Sequence, residues 1–186
     1  DVTVDTWSAD WDAADVSDVT VDGDNVKLYS NLGFAGVEFT SSTIDATGMT
    51  HFHMDVWTAD ATLLGVQPVD FGPNDAFDGG DDTQQRVDFD ASSTPALTQG
   101  QWVSIDIPLA DLTSMNLANL AQLVLVAEPY ETSTLYVDNV YFYRTGGDAP
   151  TVAAPTPTVP EADVISLFSD AYTDVLVDRW STDWDN

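Results

Sequence analysis

The chain has 186 residues, 44% of them hydrophobic, enough to build one ordinary core. Its 32 acidic residues face only four basic ones, Lys27, Arg86, Arg144 and Arg179, and the net charge of −28 repels phosphate and excludes a nucleic-acid partner. The absence of cysteine removes disulfides and thiol chemistry, and no window approaches the ~20 apolar residues of a membrane span, so no membrane partner is expected.

Taken in chain order, the first turn signal is Asp22-Gly23-Asp24-Asn25, followed by alternating apolar and polar residues over 26–30, 36–40 and 51–57. Each of these segments is predicted as a half-buried strand. Further strands are predicted at 64–71, 84–89, 102–107, 123–127 and 134–143, with a second turn cluster, Asp78-Gly79-Gly80-Asp81-Asp82, between two of them. Only 109–120 offers helical turns, with Pro108 to open them and Asp111, Thr113 and Ser114 as caps. Many short strands and few helical windows predict an all-β fold, a two-sheet antiparallel β-sandwich of jelly-roll type.

From residue 146 to 162 the composition changes to Pro, Thr, Ala and Gly, a semi-extended linker of the kind found in secreted proteins. At ~3.1 Å per residue in the polyproline form it spans up to about 50 Å. Residues 163–173 then form an apolar stretch that reads as one more strand.

The chain ends repeat one another. Asp1-Val2-Thr3-Val4-Asp5-Thr6-Trp7-Ser8-Ala9-Asp10-Trp11-Asp12-Ala13 aligns without a gap on 174–186, with nine of 13 positions identical, both tryptophans included, at an offset of 173 residues. The expected organisation is a tandem array read from inside one module into the next. Residues 1–145 are then a sandwich module lacking its first strand, 146–162 the linker, and 163–186 the start of the next copy. That last segment completes a sandwich in cis or in a neighbouring chain.

No nucleophile with an adjacent base stands out, and no carboxylate pair does among so many, so no enzyme is expected. His51 and His53 share one strand face, but with no third histidine and no cysteine they are read as polar-face residues. Six Trp, six Tyr and eight Phe instead suit stacking against the apolar faces of sugar rings. Trp57 stands in phase with His51, His53 and Asp55 on the polar side of its strand, and is the expected platform. Gln67, Asn74, Gln84 and Arg86 are its expected hydrogen-bonding partners. Trp102 is read as packing against a loop, and Trp7 and Trp11 as packing near the module entrance.

So large an excess of carboxylates is relieved by bound cations. Asp138 on the last strand, with Asp170 from the opening of the next copy, offers hard oxygens of the kind calcium prefers, and a structural Ca2+ is expected there.

The segments 164–172, Trp7-Ser8-Ala9-Asp10-Trp11, 45–51, Asp55-Val56-Trp57 and 136–142 resemble β-sandwich modules appended to secreted polysaccharide-degrading enzymes of marine bacteria. Those enzymes include family 16 glycoside hydrolases acting on β-glucans. The resemblance implies a jelly roll, carbohydrate binding, often a structural calcium, and a secreted, extracellular or cell-surface location. The expected function is a non-catalytic carbohydrate-binding module of a secreted multimodular protein, with a polysaccharide such as a β-glucan as partner. The alternative is a structural repeat of an extracellular adhesin or filament, self-associating head to tail by strand exchange through 163–186.

Overall fold

The computed structural model describes residues 3–146 and 152–179. Residues 1–2, 147–151 and 180–186 lie outside them, so part of the linker and most of the second copy of the repeat, Trp180 and Trp184 included, have no structural description. The chain divides into two compact units, Asp1–Thr145 and Gly146–Asn186.

The first unit is built from nine antiparallel strands: β1 Ala13–Val21, β2 Asp24–Glu38, β3 His51–Trp57, β4 Leu63–Asp70, β5 Thr83–Gln84, β6 Val87–Asp90, β7 Trp102–Pro108, β8 Leu120–Glu128 and β9 Ser133–Tyr143. One sheet runs β7-β3-β9-β2-β1 and the other β2-β8-β4, with β5 and β6 both against β4. Both contain β2. Its first half pairs with β9 from Lys27 to Leu32, and its second half with β8 from Phe34 to Glu38. The change of partner falls at Asn31, whose positive φ of 51° bends the strand where the register slips. Asparagine is among the residues that tolerate this conformation best. The segments predicted at 26–30 and 36–40 are therefore one bent strand that carries the chain from sheet to sheet.

Alternation drives the packing. Phe52, Met54 and Val56 of β3 and Val103, Ile105 and Ile107 of β7 point inward from the first sheet. Leu64 and Val66 of β4 and Leu123 and Leu125 of β8 meet them from the second. These residues form a single buried cluster, the filling of a two-layer β-sandwich. Tyr29 is fully buried, and its hydroxyl donates to the Trp7 carbonyl at 2.8 Å. Burial pushes its phenol pKa well up.

β1 was not among the predicted strands, because Asp15, Ser17 and Asp18 obscure its alternation. It pairs with β2 alone, and an edge strand of this polarity is what keeps a sheet from extending. The Asp22-Gly23 signal joins it to β2 as a two-residue hairpin turn, with φ of 52° and 92° at the two positions. Within 109–120 only Leu109–Asp111 is helical, a single 3-10 turn.

In the second unit, Glu161–Asp163 forms a 3-10 turn and Ser166 bridges Asp174 in parallel. Thr173 and Tyr172 bond back to Glu161 and to the Val159 carbonyl.

Candidate functional site

The outer face of the second sheet carries the most complete constellation. Alternation puts Phe34, Gly36 and Glu38 of β2, Gln122 and Val124 of β8, Gln67 and Val69 of β4, and Gln84 of β5 on this side, with Val124 between Gly36 and Gln67 in register. Three aromatic rings lie in a row on top. Trp11 stacks on Phe34 at 5.9 Å between centroids, and Phe34 on Tyr130 at 6.4 Å. Trp11 and Tyr130 are each 47% exposed.

Glycines let these rings lie down. A Cβ at Gly36 would run into the Trp11 indole, and one at Gly33 would come within 2.7 Å of the Tyr130 ring. A third glycine, Gly65, lies under the Arg86 guanidinium. The indole N–H donates to Glu38 Oε1 at 2.9 Å, and Gln122 donates to the same oxygen at 2.9 Å. Gln67 donates to Gln84 at 3.0 Å, and Arg86 pairs with Asp88. Beside them the loop after β4 brings Phe77, 64% exposed, against Phe71. Asn74 of the same loop donates to Asp81 at 2.8 Å. Trp11, Gln67, Phe77, Gln84 and Gln122 border one open recess. Flat rings next to amides with spare hydrogen-bonding capacity suit a ligand with apolar faces and hydroxyl edges.

Gln67, Asn74, Gln84 and Arg86 thus belong to one region, as grouped from the sequence, but Trp57 does not join them. It projects from the outer face of the first sheet, because among the described residues β3 pairs with β7 and β9 alone. There it meets Tyr136 edge-on at 5.4 Å and faces Trp102 in register. Trp102, expected to pack against a loop, is 42% exposed on this face. The second sheet's outer face carries Trp11 instead, stacked on Phe34, an arrangement not expected from the sequence; nor were Tyr130, Gln122 and Phe77. The available signal was Gly33 and Gly36, since glycine inside a strand marks a close approach by another group.

Further along the first sheet, His51 stacks on Tyr143 and His53 on Tyr141, at 4.9 and 4.6 Å. His53 Nδ1 lies 2.9 Å from Asp106 and its Nε2 lies 3.6 Å from Asp55. Partial burial pushes the Asp55 carboxyl up, but hydrogen bonds from Ser104 and Asn139 and the nearby His53 hold it below the ordinary range. Asp106 is likewise pushed up by partial burial, then held below the ordinary range by His53 and Tyr143. A depressed carboxylate contributes stability that is full above the ordinary value of 3.8 and is lost as pH falls through the folded value. Between about pH 5 and pH 2, thermal melting of Asp106→Asn is therefore expected to fall less steeply than that of the parent. Equal slopes would remove Asp106 from the acid response.

Asp138 sits opposite Asp55 in register, and its carboxylate accepts the Asn139 N–H at 2.7 Å. Asp170 belongs to the second unit. Among the described residues no group of three or more His, Cys, Asp or Glu side chains is placed to hold a metal ion. Asp138 and Asn139 border one recess with Asp22, Asp24 and Asp55.

No protein-family model matches the sequence, and no curated protein does. Solved structures do match the fold. A family 11 carbohydrate-binding module from Clostridium thermocellum, in complex with a β-1,3-1,4-mixed-linked tetrasaccharide, superposes with a TM-score of 0.52 at 14% identity, covering 74% of this chain and 86% of that one. A family 30 carbohydrate-binding module gives 0.56 at 13% identity, covering 79% and 83%. A module specific for non-crystalline cellulose, of family 28, gives 0.54 at 13% identity, covering 75% and 88%. At these identities the likeness is one of fold, the β-sandwich. Among the described residues no helix is long and apolar enough to cross a membrane.

Proposed function

We propose that this chain is a non-catalytic carbohydrate-binding module that holds a polysaccharide of the β-glucan type on the outer face of its second sheet. The observation that carries this reading is the Trp11–Phe34–Tyr130 row, its two end rings 47% exposed and packed over Gly36 and Gly33, beside Gln67, Gln84 and Gln122. A row of rings addresses successive sugars along a chain, and the amides fix orientation through the hydroxyls. The neighbours in fold support the substrate class, since one is in complex with a β-1,3-1,4-mixed-linked tetrasaccharide and another is specific for non-crystalline cellulose. Arg86, with Asp88, gives one edge of the face a charged donor. Such a module fits a secreted multimodular protein, in which it concentrates a tethered partner on its polysaccharide and repeated copies add avidity.

Affinity electrophoresis against soluble mixed-linkage and β-1,4-glucans tests the reading. Gln84→Ala removes one hydroxyl partner and frees Gln67, and is expected to weaken binding about five- to tenfold, the worth of one hydrogen bond. Trp57→Ala, on the other face, is expected to migrate as the parent does. If Trp57→Ala loses retention while Gln84→Ala keeps it, the binding face is that of the first sheet. If the parent itself binds none of these glucans, the β-glucan reading fails.

A further inference from the structure

Two recesses adjoin on the outer face of the first sheet, on the other side of the sandwich from the aromatic row. Val21, Trp57, Trp102 and Tyr136 border the first, of about 330 Å³. Trp102 is 42% and Val21 39% exposed, apolar surface that packing alone does not require to face water. The same two residues border the second recess, where Asp22, Asp24, Asp55 and Asp138 join them.

The two faces differ in shape. In the row on the second sheet, neighbouring rings are inclined by only 21° and 28°, which suits sugars that follow one another along a chain. Here Trp57 and Tyr136 stand at 86°, with Trp102 beside Trp57 in register. Rings at right angles make a corner, not a track. They hold one sugar by a face and an edge and offer nothing to the next. The volume agrees, at the low end of the ~300–1,000 Å³ of ligand pockets.

The groups beside the corner set the polarity of its ligand. Carboxylates only accept hydrogen bonds, and each has several lone pairs. Asp55 is held in place by the Ser104 hydroxyl and the Asn139 amide, which donate one to each of its oxygens and leave capacity to spare. Among the described residues no basic side chain borders either recess. A ligand here supplies donors and bears no negative charge, which fits the hydroxyls of a neutral sugar and disfavours uronic or sulfated ones. A terminal unit also keeps the hydroxyl that an internal unit spends in its linkage.

We propose that this corner is a second carbohydrate site that takes the terminal unit of a neutral oligosaccharide, with Trp57 and Trp102 as apolar walls and Asp55 as hydroxyl acceptor. The site stands on its own geometry; the choice of glucose as its sugar rests on the β-glucan reading. Long polymers carry few ends, so their retention is left to the second sheet.

Cellobiose is titrated into the full chain while the indole N–H signals are followed by NMR, with Trp57 and Trp102 assigned from their alanine variants. Both signals are expected to move saturably with a Kd of about 1 mM, and equally in Trp11→Ala, which lacks the end ring of the row. In that same Trp11→Ala chain an intact long glucan at equal mass is expected to move neither. Trp102→Ala alters an exposed position on the edge strand β7, and is expected to weaken the response of Trp57 at least about tenfold with long-glucan retention as in the parent. Signals that stay in place up to about 50 mM cellobiose would overturn the site. Movement by the long glucan as large as by cellobiose would overturn its preference for ends. If the parent retains no long glucan yet cellobiose moves both signals, this site stands and the glucan face of the second sheet falls.

Discussion

Trp11→Ala is expected to abolish measurable glucan binding, a loss of at least about thirtyfold, since a central aromatic anchor is typically worth ~2 kcal/mol or more. The indole packs against Gly36 and Phe34 and is 47% exposed, so its removal takes away the exposed ring and loosens its neighbour. Gly36→Ala separates platform from presence. It keeps the ring but places a methyl where the indole lies, which lifts it from the sheet and is expected to cost nearly as much affinity. Titration calorimetry of both variants, with circular dichroism to confirm folding, is the measurement. Retained binding in a folded Trp11→Ala chain would remove this face from consideration.

Asp70→Ala carries the largest expected loss of stability. Asp70 is fully buried at the end of β4. One carboxylate oxygen accepts the Gly72 N–H at 2.8 Å and the other the Asn119 N–H at 2.6 Å, tying the loop after β4 to the segment that enters β8. Alanine leaves the buried Gly72 donor and the half-buried Asn119 donor without their partner, at about 1–3 kcal/mol each. The expected total of about 2–6 kcal/mol should appear as a lower urea midpoint with an unchanged slope. Because that loop carries Asn74 and Phe77, glucan affinity is expected to fall as well. A midpoint within error of the parent would show that water replaces the carboxylate at no cost.

Much of the fold was legible because its strands alternate. The pattern His51-Phe52-His53-Met54-Asp55-Val56-Trp57 appears in space as buried Phe52, Met54 and Val56 with the others outside. What alternation cannot carry is which sheet a strand joins. It gave Trp57 an outward side but not the identity of that side, which depends on β3 pairing with β9 across some eighty intervening residues. Gln67, Gln84 and Arg86 lie near one another because β4, β5 and β6 are close in sequence and pair locally. The aromatic row escaped because Trp11, Phe34 and Tyr130 come from three distant segments. The bend at Asn31 escaped because one polar residue between apolar runs reads as a break.

That bend has a mechanical consequence. Because β2 belongs to both sheets, neither layer can slide over the other without distorting the same covalent strand. A load on Trp11 enters the second half of β2, where the indole meets Gly36, Phe34 and Glu38, and passes through Asn31 into the half clamped between β1 and β9, so that the two layers take up shear together.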